Sequence, residues 1–148
     1  MNEPTTPATG AGATVDALVA QIRSALPGQI AVDAHRGTPV PADALPAIVV
    51  ADEGETPDTD VPDEAHAAFA ERTIGVSIYT ARDTDEAAWR HVECVRGLVA
   101  RAVAADPTAG GHAIDVTNTG CTIEPGGDAD SVGRYAAHAT FAVTLEIP

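Results

Sequence analysis

Lysine is missing altogether from these 148 residues, and the eight basic side chains are all arginine. Against 22 acids they leave a formal charge of -14. Binding by phosphate neutralisation needs clustered Lys and Arg, so the chain is not expected to grip nucleic acid or an anionic membrane surface. Aromatic residues are almost as scarce, with one Trp, two Tyr and two Phe, too few for a platform on which bases stack. The two cysteines, Cys94 and Cys121, do not make a disulfide framework, and reduced thiols in a reducing compartment are expected. No apolar run approaches the ~20 residues of a membrane-spanning helix. No basic segment followed by an apolar stretch opens the chain, so no signal peptide is expected.

Catalytic and metal-binding signatures are equally thin. His35, His66, His91, His112 and His138 are scattered, without the short spacings that put two imidazoles on one metal. Cys94 sits on a regular helix and Cys121 in mid-strand, and neither has the electropositive setting that activates a thiol. Asp128 to Gly133 begins like a calcium loop but carries Val132 where a further ligand belongs, and no closing Glu follows. No phosphate-cradling glycine loop and no nucleophile elbow occurs. The expectation is a protein that is not an enzyme and holds neither metal nor cofactor.

What is present is one long amphipathic helix between strands. From Asp83 to Pro107, Ala88, Val92, Val95, Val99 and Ala102 recur at the helical period, with Leu98 beside them. Asp83 and Glu86 have capping-box spacing, and Pro107 ends the segment. Glu86, Arg90, Glu93 and Arg101 lie on the far side. His91, at the edge of the apolar stripe, is expected as a hydrogen-bonded core histidine. Period-two alternation runs through Arg72 to Arg82, with Ile74, Val76 and Ile78 on one face of a long strand expected from Ala65. It runs again through Arg134 to Ile147, where Tyr135, Ala137, Ala139, Phe141, Val143, Leu145 and Ile147 share one face.

The rest of the chain fits around this. Residues 1–13 lack periodicity and read as a flexible tail preceding a single domain over 14–148. A first helix capped by Thr14 stops at Pro27-Gly28. A short strand follows at Gln29 to Ala34, an apolar strand at Ala47 to Ala51, and a strand over Ala113 to Glu124 with a bend at Asn118 to Gly120. Asp52, Glu53, Glu55, Asp58, Asp60, Asp63 and Glu64 form a run with no basic residue among them, read as a solvated acidic loop. The order is α-β-β-β-α-β-β, an α+β fold with a mainly antiparallel sheet and two helices packed on one face.

In the order and texture of its elements, the chain resembles the tail terminator (tail completion) proteins of long-tailed bacterial and archaeal viruses. The likeness lies in TVDALVAQIRSALPG, LPAIVV, RTIGVSIYTAR, the helix DTDEAAWRHVECVRGLVARAVAADP, HAIDVTNTGCTIEPGGDAD and GRYAAHATFAVTLEIP, together Thr14 to Pro148. The family has no short diagnostic motif, so no site residue is transferred. The resemblance implies a ring, hexameric by expectation, that caps the head-proximal end of the tail tube and stops its polymerisation. The ring's partners would be itself, the tail tube protein and the head-tail connector protein. DNA would pass through without specific binding and no membrane would be involved. The implied location is the virion at the head-tail junction, after assembly in the host cytoplasm.

A closing ring needs a heterologous interface, and Trp89, on the shoulder of the long helix with Arg96 and Val103, is the candidate for it. Other readings of the same sequence are a different neck or minor tail protein, a soluble ligand-binding regulatory α+β module, and a small enzyme using Cys or His.

Overall fold

The computed structural model describes residues 11–28, 30–34, 45–55, 69–126 and 132–146. Among these the elements run α1 (Ala11–Ala25), β1 (Ala31–Ala34), β2 (Ala47–Glu55), β3 (Phe69–Ala81), α2 (Asp85–Ala105), β4 (Asp115–Pro125) and β5 (Arg134–Glu146). This is the α+β order expected from the pattern. The strands lie side by side as β1-β2-β3-β5-β4. Three ladders are antiparallel, but β1 and β2 pair in parallel, so the sheet is mixed. Alternation fixes which face a residue takes and says nothing about the direction of a neighbouring strand.

Both helices cover one face. The α2 residues Ala88, Val92, Val95, Val99 and Ala102 are buried as their spacing requires. They meet Ile74, Val76 and Ile78 of β3 and Ala137, Ala139, Phe141 and Val143 of β5 within one core. α1 adds Val15, Leu18, Val19 and Ile22 beside it, over Val32, Ile48 and Val50. The two helices are tied where α2 ends: the Gln21 side-chain amide donates to the carbonyls of Ala102 (2.6 Å), Asp106 (3.2 Å) and Val103 (3.3 Å). These carbonyls lie in the last turn of α2 and at its cap, where intrahelical donors run out, and Gln21 adds one.

The element ends differ from the sequence reading in instructive ways. The cap of α2 is Thr84, not Asp83: Thr84 is extended (φ -130°, ψ 158°), and its hydroxyl accepts from the Ala87 amide at 3.1 Å. α1 begins at Ala11, so residues 11–13 belong to the domain rather than to the tail. Thr14 is buried inside this helix, and its hydroxyl donates to the His112 carbonyl at 3.3 Å instead of capping. β2 runs on beyond Ala51 through Glu55, which takes the first acids into the sheet. β4 is one strand carrying a register shift between Asn118 and Gly120, the bend read from Asn118-Thr-Gly120. The long strand expected from Ala65 begins at Phe69 among the described residues.

Candidate functional site

Two regions of the surface carry chemistry beyond packing: the flank formed by α2 and β4, and the sheet face left uncovered by the helices. On the flank, Trp89 is 43% exposed, unusual for a large aromatic side chain and as its helical position predicts. Arg96 is half-buried and pairs with Glu93 at 3.3 Å, while its Nε is buried without a hydrogen-bond partner. Val103 does not join them. It is 2% exposed and belongs to the core, because it continues the Val92, Val95, Val99 stripe around the inner side of the helix. Val132 is 69% exposed, and the next amide, of Gly133, donates to Asp85 Oδ1 at 2.6 Å in the first turn of α2. β4 closes this side of the sheet, and no described strand lies beyond it.

The thiols and His91 also lie on or under α2. Cys94 is exposed and Cys121 half-buried, both as free thiols. Burial pushes the Cys121 thiol up, against the opposing influence of Arg96, so it is a poor nucleophile. His91 is not the hydrogen-bonded core histidine expected, since its Nδ1 is buried without a partner. Burial, and then the nearby Arg82 charge, hold its imidazole below the usual range.

The acidic run divides. Asp52, Glu53 and Glu55 lie within β2, whereas Asp58, Asp60, Asp63 and Glu64 fall outside the described residues. The first two have partners after all. Asp52 pairs with the Arg72 guanidinium, whose Nε donates at 3.3 Å. Asp52 Oδ1 also accepts from the Gly54 amide at 2.9 Å. Glu53 reaches His138 at 2.7 Å. The partners sit on β3 and β5, where charge counting along the chain could not find them.

No family model matches the chain, and the search of curated proteins gives no match either.

The uncovered sheet face holds the most organised polar cluster. Ser77 on β3 stands directly opposite His138 on β5, and Ser77 Oγ lies 2.9 Å from His138 Nδ1. Glu53 Oε1 lies 2.7 Å from His138 Nε2 on the other side of the ring. Two backbone features make this possible. Glu53 follows Val49 and Ala51 onto the uncovered face, opposite the buried Ile48 and Val50, and the register shift between Asp52 and Gly54 leaves it as the extra, unpaired residue of β2, with Gly54 at φ 112°. Gly75 on β3 then leaves the gap that Glu53 crosses, since a Cβ there would come 1.5 Å from Glu53 Oε1. A groove of about 210 Å³ runs beside the cluster, lined by Ser77, Tyr79, Thr122, Glu124, Ala136 and His138.

An ionised Glu53 accepts only, so it fixes the proton on Nε2 and leaves Nδ1 to accept from the Ser77 hydroxyl. Among the described residues no three His, Cys, Asp or Glu side chains are placed to hold a metal ion. No described helix is long and apolar enough to cross a membrane.

Proposed function

We propose that this chain is the subunit of a closed ring, most simply hexameric, that ends a virus tail tube and joins it to the head connector. The observation that carries the reading is an 11-residue strand, β4, at the edge of the described sheet, together with an exposed Trp89 on α2. An edge strand offers backbone hydrogen bonds, and an exposed tryptophan offers apolar area, to another chain. Because this flank differs from the β1 side, copies would pack head to tail, and such an interface closes into a ring when the rotation per subunit divides the circle.

The α-β-β-β-α-β-β order agrees with the resemblance drawn from the sequence. The strong negative charge suits a wall past which DNA slides, since such a wall should not neutralise phosphates. In this reading the partners are other copies of the chain, the tail tube protein and the head connector protein, and the product resides in the virion.

The experiment is genetic. Virus particles lacking the protein should accumulate filled heads apart from tails, with some tails overgrown in length under the electron microscope. Joined particles with tails of normal length would overturn the reading.

A further inference from the structure

We propose that Ser77, His138 and Glu53 form a nucleophilic relay, giving the uncovered sheet face an acyl-transfer activity toward small neutral or cationic esters. This activity is separate from ring formation. It rests on observations that converge on one spot: the direct Ser77–His138 strand pairing with its 2.9 Å hydrogen bond, the 2.7 Å contact of Glu53 with the other ring nitrogen, and the absent side chain at Gly75 that leaves Glu53 its path.

A serine hydroxyl becomes a nucleophile when a base takes its proton and a third group holds that base in the correct tautomer. His138 is placed as the base and Glu53 as the positioning residue. The two ring nitrogens exchange the roles they take in serine proteases, with the hydroxyl at Nδ1 and the carboxylate at Nε2. The chemistry is unaffected, because either imidazole nitrogen accepts a proton once the other is protonated.

In the first step Ser77 Oγ attacks the ester carbonyl while its proton passes to His138 Nδ1. The resulting imidazolium keeps its Nε2–H on Glu53. The tetrahedral adduct collapses by breaking the bond to the alcohol oxygen, which leaves with the proton from Nδ1. Water then adds to the acyl-serine by the same proton route, releasing the carboxylic acid and restoring Ser77. The hydroxyls of Tyr79 and Thr122 line the same groove and are the side-chain donors available to the developing oxyanion. Glu124 at the wall of the groove disfavours an anionic substrate.

The test uses the purified full chain and a fluorophosphonate probe, which loses fluoride as it phosphonylates an activated serine. Wild-type protein should be labelled, and the adduct should map to the peptide containing Ser77. Ser77→Ala should be labelled no faster than denatured protein, and His138→Ala should be slowed about 100-fold or more. Glu53→Ala should slow labelling and also change the ring itself: ¹⁵N spectra should give the Nε2–H tautomer of His138 in wild type and a mixture in the variant. A folded wild-type protein that is not labelled, or an adduct on any residue other than Ser77, would overturn the proposal. Mapping the wild-type adduct decides the matter even if a variant fails to fold.

Discussion

Val95 is 2% exposed in the centre of the α2 stripe, between Val92 and Val99. Val95→Asp would bury a carboxylate with no partner, which costs at least about 3 kcal/mol. That is a large share of a small domain's stability, so the variant should lose most of its helical circular dichroism at 37 °C. A wild-type melting curve for Val95→Asp would contradict the burial of this face.

Two titratable residues both lose stability on acidification, in separate pH windows. Burial and Arg82 hold the folded His91 below its ordinary value of 6.5. The unfolded chain therefore binds a proton there first, and stability should fall as pH drops through about 6.5, then level off below the folded pKa. His91→Gln should lack this slope in melts between pH 8 and pH 5. Asp106 also has its pKa lowered, chiefly by the Thr108 hydroxyl at 2.6 Å, then by the amides of Gly110 (2.9 Å) and Thr108 (3.1 Å). Its contribution is present above the ordinary carboxylate range and lost as pH falls through the folded pKa. The stability difference between wild type and Asp106→Ala should therefore shrink toward zero in acid.

At the scale of elements, the start of α2 separates two caps that the sequence offers side by side. Thr84 makes the bond to Ala87, so Thr84→Ala should destabilise the protein by about 1 kcal/mol. Asp83→Ala should change the melting temperature by much less. The same element explains how far the sequence could be read. Ala88 to Ala102 and Arg134 to Leu145 declare their inner faces by period alone, because one side of each is buried and the other is wet. Val103 breaks the simple rule: the inner face is wider than the a/d-type stripe, so a residue assigned to the shoulder packs in the core.

The parallel β1–β2 ladder and the Glu53–His138–Ser77 cluster were not legible. Ser77 and His138 are 61 residues apart, and their meeting depends on strand register, which alternation leaves open. Glu53 shares its face with Val49 and Ala51 by alternation, but an acidic run read as a solvated loop hides that β2 continues through it to Glu55. A glycine in mid-strand, Gly75, was the available cue, since glycine within a strand often marks a close approach.

At the scale of the molecule, the described residues form a helix-covered core, a sheet face that the helices leave uncovered, and the β4 flank. The central claim is that the flank closes a ring, and the most direct measurement is the mass of the purified protein in solution, by sedimentation or mass photometry. Six copies of a 15.0 kDa chain would give about 90 kDa. Wild-type protein should populate that species with a central hole in negative stain. Trp89→Glu, which puts a charge on the exposed flank without touching the core, should keep wild-type circular dichroism and remain at 15.0 kDa. Wild-type protein that stays monomeric at every concentration, or a Trp89→Glu variant that still closes the ring, would contradict the account.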